Sequence, residues 1–147
     1  MAQVVMRFNQ PTLKVATTEA GLTTGQAVEC QTTSAVVTAQ PNYQTIPSTG
    51  CNGATQSPGL SGWQLALAWL QDWNAAAPGG LSWFAFDNDG QEVWFELTPD
   101  KSDAATKLTG QAFCAAGDYG GTFGDGSAGT ATATWPLLAK PDIPAPV

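Results

Sequence analysis

Twelve carboxylates, five cations and no histidine set the chemistry open to this chain. Without imidazole there is no Ser-His-Asp or Cys-His nucleophilic site and no His-ligated metal site. A carboxylate pair for glycoside hydrolysis is the first remaining candidate. Glu92 and Glu96 share one face of "EVWFELT". Residues four apart on a strand stand roughly 13 Å apart at ~3.3 Å per residue, beyond the roughly 5–9.5 Å that such a pair needs. They read as a solvated or interface face. "DNDG" (Asp87–Gly90) falls short of a calcium loop. Counted from Asp87, glycine comes fourth instead of sixth and the twelfth residue is Thr98 instead of Glu. A hairpin turn built on Asp-Gly accounts for it better. "GDYGGTFGDG" (Gly117–Gly126) has the glycines of a phosphate cradle but not the Lys-Ser/Thr that completes one. Cys30, Cys51 and Cys114 are odd in number and lack C-x-x-C spacing. They read as buried apolar thiols in a reducing compartment. No nucleophile–base pair, cofactor site or metal site can be assembled, and the expected class is not an enzyme.

The bulk properties point elsewhere. The 147 residues suit one domain with a core of its own. Charged residues are 12% of the chain, where ordinary soluble domains carry about 25%. A monomer covers itself with charge, whereas a subunit can hide Thr-, Gln- and Ala-rich surface against its neighbours. The formal charge of −7 argues against holding nucleic acid by its phosphates. "MAQVVMRFNQ" contains no apolar run of signal-peptide length, and no stretch reaches the roughly 18 apolar residues of a membrane span. A cytoplasmic site of synthesis and assembly is expected.

Thr, Val, Ala and Gly dominate, with turn signals throughout, as in a mostly-β fold. "TLKVAT" (Thr12–Thr17) predicts a strand and "GLTTG" (Gly21–Gly25) a turn. Gln26–Gln40 predicts one long strand or a bulged pair. Val28, Cys30, Thr32, Val36 and Thr38 would share one face there, with Ala35 and Val37 opposite. Residues 42–62 hold Pro47, Gly50, Gly53, Pro58 and Gly59 and show no periodicity. An irregular stretch that long inside a small domain is commonly functional, and with no catalytic residue types it reads as an interaction arm. "EVWFELT" sets Val93, Phe95 and Leu97 against Glu92, Trp94 and Glu96. Thr106–Gly117 predicts another strand, and "TATATWP" sets three threonines against Ala131, Ala133 and Trp135. The proline-rich end, 137–147, is expected to be extended.

Five of the six Trp residues lie between Gly62 and Glu96. Trp63, Leu65, Leu67, Trp69 and Trp73 fall on alternate positions, broken only by Gln71. That fits a strand better than a helix, although the Ala and Leu content keeps a helix as the alternative. At this spacing Trp63, Leu65, Leu67 and Trp69 are core candidates, with Val93 and Phe95. Exposed Trp residues would instead make a sugar-stacking platform. "LSWFAFDN" (Leu81–Asn88) predicts one or two helical turns with Leu81 and Phe84 on one face.

The order of parts resembles the major tail (tail tube) proteins of long-tailed bacteriophages, notably those infecting actinobacteria. The resemblance rests on "LAWLQDW", "PGGLSWFAFDNDG", "EVWFELTPD", "TGQAF", "DYGG" and "ATWPLLAKPDI", in that order over residues 26–143. Each motif is short, and their order carries the weight. The C-terminal immunoglobulin-like domain of many relatives has no counterpart in this sequence. The resemblance implies a single tail-tube-like domain, a β-sandwich or barrel with one short α-helix, in hexameric rings that stack around a lumen for DNA. It implies as partners further copies of the chain, tape-measure protein and tail terminator or tip proteins. DNA would pass unbound along an acidic wall that repels its phosphates. Localisation would be the virion tail. The arm and the extended end then become the ring-stacking contact, through Tyr43, Ile46, Asn52, Gln56, Leu137, Leu138 and Ile143. Two other readings stay open: a capsid decoration or head–tail connector protein, and a carbohydrate-binding module using a Trp platform.

Overall fold

A computed structural model describes residue 8 and residues 10–51, 53–59, 61–74, 79–100, 106–124 and 126–143. The protein is mainly β, with two antiparallel sheets and one helix among the described residues. Nine strands form there: β1 (Thr12–Ala16), β2 (Gln26–Ala27), β3 (Thr32–Gln40), β4 (Tyr43–Ile46), β5 (Thr55–Pro58), β6 (Gly62–Leu70), β7 (Glu92–Thr98), β8 (Leu108–Phe113) and β9 (Thr130–Pro136). The helix α1 spans Gly80–Asp87, and a 3₁₀ turn covers Ala20–Thr24 where the sequence suggests a simple turn. One sheet has the order β2-β1-β7-β8 and the other β3-β6-β9.

The alternation read from the Trp block builds the core. In β6, Leu65, Leu67 and Trp69 are buried, and Ala133 and Trp135 face Leu67 and Leu65 across the β6–β9 ladder. From the other sheet come Leu13, Val15, Val93, Phe95 and Leu97. Trp63, near the start of β6, is only half-buried, because it lines an open apolar trough. The strand stops at Leu70, so Trp73 leaves the alternating face. Gln71, which breaks the pattern, spends its amide instead on the backbone of Gly120 and Thr130.

Thr32 to Val36 share a cavity of about 370 Å³ with Thr12, Leu13 and Leu97. The segment Gln26–Gln40 is therefore neither one strand nor one bulged ladder. A turn after Val28 carries the chain from one sheet to the other, and a register shift follows between Thr32 and Ser34. These two breaks reset the faces. Val28 is buried, Cys30 and Val36 are exposed, and Ala35 and Val37 turn toward the core.

The helix is fixed by three polar contacts. The Leu81 N–H donates to Gln31 Oε1 at 2.9 Å, which satisfies one of the amides orphaned at the helix start. Buried Trp69 donates through Nε1 to Ser82 Oγ at 2.9 Å. Asn88 closes the other end with its side chain on Phe84 O at 2.9 Å. Gly80 sits at φ +79°, and a β-carbon there would overlap the Gln31 amide, so both backbone and space require glycine. The Asp-Gly turn joins α1 to β7 and is not a strand-to-strand hairpin. Asp89 accepts from the Ala116 N–H at 2.8 Å, tying that turn to the chain after β8.

Residues 42–62 are not an irregular loop. β4 and β5 form a separate two-stranded ladder pairing Tyr43 with Pro58 and Ile46 with Thr55. It continues the β3–β6 hairpin, in which Gln40 pairs with Gly62. The break falls at Pro41, which cannot donate to a ladder, and is bridged by Gly59 N–H to Asn42 O at 2.6 Å. Periodicity fails as a signal here because β4 is exposed on both faces.

Residues 137–143 run along their own domain, and the rest of the expected extended end, 144–147, lies outside the described residues. Leu137 bridges Ala112 and Asp142 bridges Thr109, which covers the outer edge of β8. Leu137 is half-buried and packs on the core, so it offers a partner less surface than the sequence suggests.

Candidate interaction surfaces

Three surfaces stand out from the fold. The first is the β4–β5 hairpin. Every residue from 41 to 51 is exposed. Tyr43 and Ile46, 62% and 50% exposed, lie on opposite faces of β4, so each face carries an uncovered apolar group. Gln56 on β5 is exposed as well, and Asn52 lies outside the described residues. Both outer edges of this ladder are unpaired among the described residues. No charged residue occurs from Cys30 to Gln71, a stretch that spans β3, the hairpin and β6. A bare hairpin is marginal in water, and free strand edges without Lys or Glu invite pairing.

The second surface is an apolar trough of about 400 Å³ at the hairpin's foot, lined by Phe8, Val36, Trp63, Leu97, Leu108 and Ile143 among others. Phe8, Val36 and Ile143 are more than half exposed. Leu138, on the same closing segment, is exposed too.

The third lies at the far end of β6. Trp73 is the hub of four rings, with centroids 5.5 Å from Trp83, 5.8 Å from Phe86 and 4.9 Å from Tyr119. All three contacts are edge-to-face, at interplanar angles of 66°, 88° and 62°. The cluster is held by Gln71, which accepts from Trp73 Nε1 at 3.0 Å and from the Gly120 N–H at 3.0 Å. Phe86 and Tyr119 remain 60% and 79% exposed. Trp83 Nε1 is buried with no partner among the described residues. Asp72, Asp87 and Asp118, each adjacent in sequence to a ring of the cluster, are exposed. Rings set at these angles present edges at several tilts, whereas a sugar platform offers one flat face.

The spacing of the Trp block assigns Trp69 to the core, and it makes no such surface. Trp69 and Trp135 are fully buried, and Trp135 donates to Ala115 O at 2.9 Å. The exposed cluster joins residues from loops and one helix, which no periodicity links. The available signal was Tyr119 alone among glycines, with no apolar neighbour to bury it.

The chemical candidates disperse. Glu92 accepts from Gln111 Nε2 at 3.1 Å, while Glu96 lies 3.8 Å from Lys107 Nζ. Among the described residues no group of three or more Cys, Asp or Glu is placed to hold a metal ion. Nor are the cysteines uniformly buried: Cys30 sits in the exposed turn before β3 and Cys51 in the hairpin loop, because both turns project from the core. Only Cys114 is buried, its thiol pushed up to about 12 by desolvation and by the nearby charge of Asp89. No helix among the described residues is long and apolar enough to cross a membrane. Compared with known proteins, the chain matches no protein-family model, and no curated sequence is significantly similar to it.

Proposed function

We propose that this chain is a structural virion protein, the subunit of hexameric rings that stack into the hollow tail tube of a long-tailed phage. The observation that carries the reading is the charge-free hairpin, displayed clear of the domain with apolar groups on both faces. Such an arm is poorly suited to a free monomer and well suited to a subunit whose neighbours cover it. The resemblance in the order of sequence motifs supports the same reading. So does the acidic balance, which would keep DNA from adhering to a tube wall. In this reading the stacking contact uses Tyr43, Ile46, Asn52 and Gln56 of the arm, with Leu138 and Ile143 beside its foot. Leu137 contributes mainly to the subunit's own core. Tape-measure and tail terminator or tip proteins would be the other partners.

Light scattering on the purified chain tests the proposal. Species at multiples of six subunits, growing with concentration, are expected. A decoration or connector protein would instead bind capsid shells and fail to polymerise alone, and that outcome would refute the tube reading.

A further inference from the structure

We propose that the aromatic cluster of Trp73, Trp83, Phe86 and Tyr119 is the socket that receives the β4–β5 hairpin of a second copy of this chain. The inference rests on the tube reading and adds the other half of its contact. Hairpin and cluster lie at opposite ends of one strand. β6 begins at Gly62 beside the hairpin, and its last residue, Leu70, is three positions before Trp73. A link between two different patches at opposite ends is heterologous, so it propagates in one direction instead of closing a dimer.

The two ends are complementary. The cluster is rimmed by the exposed carboxylates of Asp72, Asp87 and Asp118, and no Lys or Arg occurs between Lys14 and Lys101. At the hairpin's end Lys107 lines the trough but lies 3.8 Å from Glu96, and exposed Lys140 is balanced by exposed Asp142, so this end carries no excess of carboxylate. Two cluster ends would set carboxylate against carboxylate, whereas a cluster meeting the charge-balanced hairpin end avoids that repulsion. The hairpin itself brings no charge that would have to be desolvated on entering an aromatic socket. The socket also has an unmet need. Among the described residues the buried Trp83 Nε1 has no acceptor, and the hairpin edges carry unpaired carbonyls. Rearrangement of exposed Phe86 and Tyr119 on docking would open that donor to an acceptor.

A native thiol makes the contact measurable. Cys51 sits exposed in the hairpin loop, and Cys114 is buried and remains protonated at neutral pH. In a Cys30→Ser background, Asn74→Cys places a thiol next to Trp73 and leaves all four rings in place. Mild oxidation of assembled protein should then give a ladder of covalent multimers joining Cys51 of one copy to the thiol introduced at position 74 of the next. The ladder should be absent without Asn74→Cys. In parallel, Tyr119→Ala removes a ring that is 79% exposed, so melting should be unchanged. Its critical concentration for assembly should rise roughly tenfold or more, as expected for an interface anchor worth over ~1.4 kcal/mol. Tubes that form normally with Tyr119→Ala and give no ladder would overturn the socket and leave the tube reading standing. A chain that never assembles would overturn both. Quenching of tryptophan fluorescence by soluble oligosaccharides in a persistent monomer, lost in Tyr119→Ala, would assign the cluster to sugars and overturn the proposal.

Discussion

Trp69 shows how much of this fold hangs on single side chains. Its ring is buried, its Nε1 donates to Ser82, and Gly117 lies so close that a β-carbon there would overlap the ring. Gly117→Ala must displace the ring or the chain after β8, and should cost about 1–3 kcal/mol, read as a lowered denaturant midpoint. Leu67→Ala leaves a cavity between the sheets and should cost about 2–5 kcal/mol in the same measurement. The thiols separate by environment. Cys30 and Cys51 should react with a thiol reagent at pH 8 in the native protein, and Cys114 only after unfolding. The Cys114 thiol is raised from 9.0 to about 12, so the folded state holds its proton more tightly than the unfolded chain. Its contribution to stability is complete below pH 9 and falls as pH rises from 9 toward 12, which alkaline melting curves would register. Stability that does not decline across that window would mean that the thiol is not buried as described.

Among the elements, the strands that bury one face and the helix over Leu81–Asn88 were legible, and the hairpin and the turn after Val28 were not. Alternation in Trp63–Trp69, Glu92–Thr98 and Thr130–Pro136 reflects a core on one side, and hydrophobicity reports that directly. The hairpin exposes both faces of β4, so its residues carry no alternation. Its strands are visible only as Tyr43–Ile46 and Thr55–Pro58 opposite one another. The turn after Val28 was hidden because the Val, Thr and Ala on both sides of it all favour or tolerate strands. The aromatic cluster escaped for a further reason, since loops brought together by tertiary folding share no period. Replacing residues 43–58 by a Gly-Ser turn should leave the domain's melting nearly unchanged, because loop closure depends weakly on length. The same change should halt tube growth at folded subunits or single rings. Full-length tubes from the shortened chain would remove the hairpin from the contact.

At the scale of the whole molecule, the features combine into a body with two unlike ends. A small sandwich holds the core, a charge-free arm leaves one end of β6, and an acid-rimmed aromatic cluster closes the other. Few charges are spread over the surface, and none falls on β3, the hairpin or β6. This surface suits a part that its neighbours cover. The most direct test is negative-stain electron microscopy of the purified chain over a rising concentration series. The account predicts rings of six subunits with a central hole, passing into hollow tubes as concentration rises. A chain that remains a dispersed monomer up to millimolar concentration, with no ring or tube in any field, would contradict it.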